Sequence, residues 1–265
     1  MKTLVHYAVS MLAGMSTIVA AQPVVVNPAA ATCSKSSPRH TVALLELYTS
    51  EGCSSCPPAD RFVSNLYQTS GLSADQVVPL SLHVDYWDYI GWKDAYAKTA
   101  FTQRQSWMAH QGGARGVYTP EIFISGREAA DWHGGVAAVI KKINQQAARA
   151  DIHLTLDTVK DNTLQLSLYG KSTSNAVMHY ALVEQAMVNP IRAGENKGAT
   201  LHHDYVVREW GDAFTLPSAA PQIQVRKILI PAGANRKNLS VTAFVQSNNG
   251  EILQALSLPV CGSLF

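Results

Sequence analysis

The chain has no run of like charge. Its 21 Lys and Arg stand against 19 Asp and Glu, a formal net charge of +2, with no basic stripe and no acidic tail. A nucleic-acid groove, or a docking face for an anionic membrane, is therefore not expected. A Gly-rich nucleotide loop is also missing, so no organic cofactor is implied. The single CxxC has no second CxxC and no short-spaced histidine pair beside it, so a structural zinc site lacks its ligands. Internal repeats are absent. No membrane span is expected once the N-terminal segment is removed.

What is present begins with that segment. Lys2 is followed by an apolar stretch from about Ala8 to Ala20, and Val19 and Ala21 occupy the −3 and −1 positions before Gln22. The run is short for a span and is diluted by Gly14, Ser16 and Thr17. Residues 1–21 read as a cleaved signal peptide, so the protein is expected to be exported, periplasmic or secreted. Residues 22–40, rich in Pro, Ala and Ser, read as a linker.

Export changes the meaning of the four cysteines, Cys33, Cys53, Cys56 and Cys261. In an oxidising compartment an even number suggests two disulfides. Cys53 and Cys56 are close neighbours and most simply pair with each other. Cys33 is then left with Cys261, a structural bond tying the start of the mature chain to its end.

Patterning divides the rest. "TVALLEL" and "QVVPLSLHVDYW" are strand-length apolar runs suited to burial on both faces. "PPADRFVSNLYQTSG", the stretch from Lys93 to about His110, and "VAAVIKKINQQAARA" carry helical periods. "GVYTPEIFISG" is a third strand, with "REAADW" returning after Gly126. The fold class expected for 41–150 is α/β, a helix-covered mixed sheet. Beyond about residue 151 the strands alternate apolar and polar residues with turns between them, which predicts a smaller, mainly antiparallel β-sandwich over 151–265.

The chemistry centres on "EGCSSCPP". A helix is expected to begin at or near Cys53, where unpaired N–H groups and the helix dipole lower a thiol pKa. Cys53 would then attack a disulfide and Cys56 resolve the intermediate. Pro57 and Pro58 fit a first turn, whose N–H groups lack partners in any case. The competing readings are a copper site, formed by the two thiolates with a remote histidine such as His83 or His133, and a purely structural bridge in a non-catalytic binding module. Position at a strand–helix junction favours redox chemistry. Glu46 lies inside an apolar strand, where a carboxylate is costly unless used.

Three segments resemble the thioredoxin superfamily. "LYTSEGCSSC" is similar to a glutaredoxin-type entry to the active site, "LSLHVD" to the central strand, and "GVYTPEIFISG" to the cis-proline loop. The resemblance covers residues 41–150 and implies a thioredoxin-like domain there. It also implies an exported thiol–disulfide oxidoreductase acting on protein or small-molecule thiols and disulfides, with a redox partner protein. Cys53 matches the attacking and Cys56 the resolving cysteine. Pro120 matches the cis-proline and Thr119 the residue whose backbone meets the peptide, with Tyr118 and Trp87 as neighbouring substrate-binding candidates. Glu46 is similar to the buried proton acceptor, displaced by one residue, which on a strand turns it to the other face. The other reading of Glu46 is a partner for a nearby Arg; Asp85 and Asp88 are the alternates for the proton acceptor. The aromatic segment from Tyr86 to Gly116 is longer than such a domain needs; it can roof the site or core an extra helix. Ser54–Ser55 is not the dipeptide typical of that superfamily, so the direction of electron flow is not implied.

The whole chain also resembles a bacterial family of exported proteins catalogued as domain of unknown function 1223. "ELYTSEGCSSCPPADR", "HVDYWDYIGWKD", "RGVYTPEIFISG" and "IRAGENKGATLHHDYVVRE" carry the likeness. The last is a dense polar cluster running from Arg192 to Arg208, read either as a loop docking the two halves or as a second functional surface.

Overall fold

The computed structural model of the chain describes residues 33–160 and 162–264. The expected signal peptide over 1–21, and the part of the expected 22–40 linker up to residue 32, lie outside the described residues.

The first part of the chain contributes β1 (Cys33–Ser36), β2 (Ala43–Thr49), α1 (Pro57–Ser64), α2 (Leu66–Ser70), β3 (Val77–His83), α3 (Thr99–Gln111), β4 (Glu121–Ile124), β5 (Arg127–Glu128) and α4 (Val136–Asn144). Strands alone follow, apart from short 3-10 turns. They are β6 (Ala150–Lys160), β7 (Thr163–Ser172), β8 (Ala176–Glu184), β9 (Met187–Pro190), β10 (Thr200–His203), β11 (Val206–Trp210), β12 (Phe214–Leu216), β13 (Gln222–Leu229), β14 (Leu239–Ser247) and β15 (Ile252–Pro259).

The expected helix-covered, thioredoxin-like α/β fold is not what forms. Among the described residues there are fifteen strands against four α-helices, two of them of eight residues or fewer. The largest unit is a nine-stranded sheet in the order β15-β14-β8-β11-β3-β2-β4-β5, with β12 beside β8. The reason is one long-range contact. Strand β11 lies parallel to β3, Val206 opposite Ser81, and antiparallel to β8. The two apolar strands of the first part are therefore extended by strands from beyond residue 151. Ser81 Oγ donates to the Asp204 carbonyl at 2.8 Å at the same junction.

Alternation along each strand decides what covers each face. Leu44, Tyr48, Leu80, Leu82, Phe123, Ala181, Val183 and Phe244 face α3, through Phe101 and Met108. The opposite face is shared. At one end Leu45, Leu47, Val77, Ile122 and Ile124 pack on α1 and α4 through Ala59, Val63, Val136 and Ile140. At the other end Met178, Leu182, Val241 and Val245 meet Ile152, Leu154, Leu166 and Leu168 of a second sheet, β1-β6-β7-β13. That sheet sits where the amphipathic alternation of β6 and β7 demands a partner.

Cys33 and Cys261 form a disulfide with a Cα–Cα distance of 5.8 Å, closing the first described strand onto the chain end. Cys53 and Cys56 form the other, at 5.4 Å. Both pairings agree with the sequence reading, and two disulfides place the protein in an oxidising compartment. Among the described residues no helix is long and apolar enough to cross a membrane.

Candidate functional site

Strand β2 ends at Thr49, and the loop Ser50–Cys56 carries the chain into α1. The helix starts one turn later than expected: Cys56 is its N-cap, and Pro57 and Pro58 fill its first two positions. The Ala59 and Asp60 amides donate to the Cys56 carbonyl at 2.9 and 3.1 Å. Gly52 lies in close approach: a Cβ there would be 3.1 Å from the Trp87 Cβ, tighter than an ordinary contact.

The expected site residues partly converge. Cys53 Sγ lies 3.3 Å from Ser55 Oγ, which donates to the Thr119 carbonyl at 3.4 Å. The Thr119–Pro120 peptide is cis. Trp87 Nε1 donates to Thr119 Oγ1 at 2.7 Å. Tyr118 is exposed, with its hydroxyl on Glu128 at 2.6 Å and its carbonyl held by Gln105 at 2.7 Å. Burial, then Glu128, pushes the Tyr118 pKa upward. Glu121, next to Pro120, is buried with Oε1 unpartnered among the described residues; burial, reinforced by Glu128, pushes it up to about 7.

Glu46 is not brought to the cysteines. It shares the α3 face with Tyr48, and α1 lies on the other face. Its oxygens accept from Arg104 Nε at 2.6 Å and Nη2 at 3.1 Å. Asp85 is held by Thr99 and Thr102, whose hydroxyls lower its pKa. Asp88 accepts from the Asp94 amide at 3.2 Å. His133 stacks on Trp132, whose ring packs against Phe62 of α1.

Beside the cysteine loop lies a buried cluster of which the sequence singles out only His83, as a copper-ligand candidate, and the Arg192–Arg208 segment that holds His203. Glu51, Asp60, His83, Asp94 and His203 are all buried. Glu51 precedes Cys53 by two residues. Its carboxylate accepts from Trp92 Nε1 at 2.8 Å and from Asn189 Nδ2 at 2.8 and 3.1 Å. Its amide donates to Asp94 Oδ2 at 2.9 Å, and His83 Nδ1 donates to the same oxygen at 2.7 Å. Asp60 follows Cys56 by one helical turn and accepts from Thr49 Oγ1 at 3.3 Å. His203 bridges the two ends: Nε2 is 3.4 Å from Glu51 Oε1 and Nδ1 is 3.8 Å from Asp60 Oδ1. These are ion-pair distances without hydrogen-bond geometry. Burial opposes a charge on His203, but Asp60 and Glu51 overcome it and raise its pKa to about 10. Burial likewise opposes ionisation of Asp94, yet His83 and two amides hold its pKa low. His203 belongs to the polar Arg192–Arg208 segment, and β10 turns it and the adjacent His202 to opposite faces, one exposed and one buried.

The Arg192–Arg208 segment supplies more than His203. Asn196 Nδ2 donates to the Glu51 carbonyl at 2.8 Å and the Cys53 carbonyl at 3.0 Å, and Glu195 accepts from the Ser54 amide at 3.1 Å. Gly194 allows this approach: its φ is +71°, and a Cβ would lie 3.1 Å from the Trp92 Cβ. Both Cys53 and Cys56 are 0% exposed. Among the described residues no group of three or more His, Cys, Asp or Glu is arranged to hold a metal ion.

The family described as protein of unknown function (DUF1223) matches residues 44–246, most of the chain and the whole of this site. The chain belongs to the DUF1223 family. A crystal structure of an Agrobacterium tumefaciens protein is similar to this DUF1223 chain with a TM-score of 0.57 and 25% identity, over 84% of this chain and 96% of that one. A domain of the outer membrane lipoprotein Omp28 from Porphyromonas gingivalis matches at 13% identity and a TM-score of 0.28, over 43% of this chain and 88% of that one. No functionally curated protein matches.

Proposed function

We propose that the protein is an exported thiol–disulfide exchange protein, periplasmic or secreted, whose working group is Cys53–Cys56. Cys53 is the attacking and Cys56 the resolving sulfur. The substrates are protein or small-molecule thiols and disulfides, and a redox partner returns the pair to its starting state. Pro120 and Thr119, with Trp87 and Tyr118 beside them, form the peptide-facing side.

The observation that carries this reading is the company the disulfide keeps. Five buried ionisable residues are linked to the segment that carries it: Glu51 and Asp60 flank the pair in sequence, His203 lies between these two carboxylates, and Asp94, tied to His83, accepts the Glu51 amide. Burying such groups is costly, and clusters of them concentrate at working sites. A disulfide serving only as a staple needs none of them; Cys33–Cys261 packs instead in an apolar cluster.

A second reading has its own support. Both cysteines are fully buried, as in a structural bond. The reduction potential separates the two. A Cys53–Cys56 potential well above about −300 mV marks a working pair, and one below it a structural bond. The measurement is equilibration with dithiothreitol or glutathione buffers, reading the two disulfides separately by mass spectrometry after alkylation. A working pair also reduces or oxidises a test disulfide, and Cys53→Ser abolishes that turnover.

A further inference from the structure

We infer that His203 is the buried counter-charge that holds the opened cysteine pair in its thiolate form, so that a residue from the second half of the chain sets the redox behaviour of a site built by the first. The inference rests on the exchange reading of Cys53–Cys56.

The argument is electrostatic. Opening the disulfide breaks the Cys53–Cys56 S–S bond. A donor dithiol supplies two electrons and becomes a disulfide, and its two protons are released. One proton goes to one cysteine and the other to solvent, leaving one thiol and one thiolate. The cysteine pair is flanked in sequence by two carboxylates, Glu51 two residues before Cys53 and Asp60 four residues after Cys56. Both are buried, and like charges nearby disfavour a new anion. The dipole of α1, an eight-residue helix, offsets this only in part.

His203 is placed to supply the rest. It stands between the same two carboxylates, at 3.4 and 3.8 Å. β10 alternates exposed and buried residues, which drives His203 inward while His202 stays outside. The groups facing it can be named from each side. Glu51 comes from the cysteine loop and Asp60 from α1. His83 of β3 lies edge-on at 5.0 Å between ring centroids and is itself tied to Asp94. Tyr96 lies at 6.2 Å, and the Arg208 guanidinium covers the Tyr96 ring at 5.4 Å while bonding Glu184. Arg208 is thus committed to Glu184, and His203 carries the positive charge between the carboxylates. The raised pKa of His203 agrees with that role.

The test uses two substitutions with opposite signs. The full mature chain is reduced with dithiothreitol and desalted, and its thiolate ultraviolet absorbance is titrated against pH. His203→Gln removes the cation and leaves the carboxylates. The low thiol pKa should rise, and reduction at neutral pH should shift about tenfold toward the disulfide, the effect of about one pKa unit. Asp60→Asn removes one carboxylate and should move the pKa the other way. A merely structural role predicts loss of stability in both variants with no opposed shifts. If His203→Gln does not fold, His203→Asn takes its place, since Asp60→Asn lowers the thiol pKa whatever His203 does. Two failures are distinguishable. A wild-type Cys53–Cys56 that never equilibrates with dithiothreitol while folded overturns the exchange reading and this inference with it. A wild-type pair that equilibrates, with unmoved profiles in the variants, overturns this inference alone.

Discussion

Arg104 and Glu46 form a two-armed ion pair on the α3 face of the nine-stranded sheet, away from the cysteine loop. The guanidinium also lies 5.2 Å from the Trp210 ring centroid and 5.0 Å from that of Phe244, so both charges are buried in an aromatic setting. Glu46→Gln leaves that cation without its partner, and breaking a buried pair costs about 3–5 kcal/mol. Chemical denaturation should show a loss of that size, with an unchanged pH profile for mixed-disulfide resolution. A displaced pH profile would instead make Glu46 the proton acceptor.

The terminal disulfide makes a separate prediction. Cys33–Cys261 closes a loop of 228 residues. The chain-entropy model gives roughly 5 kcal/mol for a loop of this length, an upper figure because the denatured chain keeps some structure. The paired variant Cys33→Ser, Cys261→Ser should lose stability on that scale while keeping the exchange activity of Cys53–Cys56. Loss of activity in a still-folded variant would tie the two bonds together functionally.

Local signals were legible and long-range ones were not. The cysteine pairings could be read because Cys53 and Cys56 are neighbours and only one partner remained for Cys33. The strand–CxxC–helix order could be read from an apolar run followed by a proline-marked helix start. The α4 stripe through Val136 and Ile140 was equally local. The fold class was misjudged because β11 returns to β3 across more than a hundred residues, and nothing in either strand's pattern specifies that parallel neighbour. Glu46 illustrates the limit of register: its apolar neighbours reveal burial, but only the sheet shows which face it takes. The polar segment containing His203 was visible as a cluster, yet its partners Glu51 and Asp60 lie far off in sequence.

Stability should fall on the alkaline side through His203. Its pKa is raised to about 10 in the folded protein, above the ordinary value of 6.5. A raised cationic pKa contributes stability that is fully present below about 6.5 and is lost as pH rises through the folded value. Melting temperatures followed from pH 6 to beyond about pH 10 should therefore decline for the wild type and decline less for His203→Gln. Parallel curves for the two proteins would show that His203 does not titrate in this window.

Access to the disulfide should depend on Asn196. Its side-chain amide joins the carbonyls of Glu51 and Cys53, and the neighbouring Glu195 takes the Ser54 amide, so three main-chain groups of the cysteine loop are held by one segment. A thiolate must approach a disulfide sulfur along the S–S axis, and here both sulfurs are covered. Asn196→Ala removes two hydrogen bonds worth about 0.5–1.5 kcal/mol each. If that energy holds the cover closed, reduction by dithiothreitol should accelerate about tenfold, the rate change equivalent to roughly 1.4 kcal/mol. The equilibrium potential should move far less, because oxidised and reduced states lose the same cover. Glu195→Gln should act in the same direction but more weakly, since its contact is exposed and the amide keeps an acceptor oxygen. A rate unchanged in both variants would mean that the sulfurs are reached from the Thr119–Pro120 side without displacing this segment.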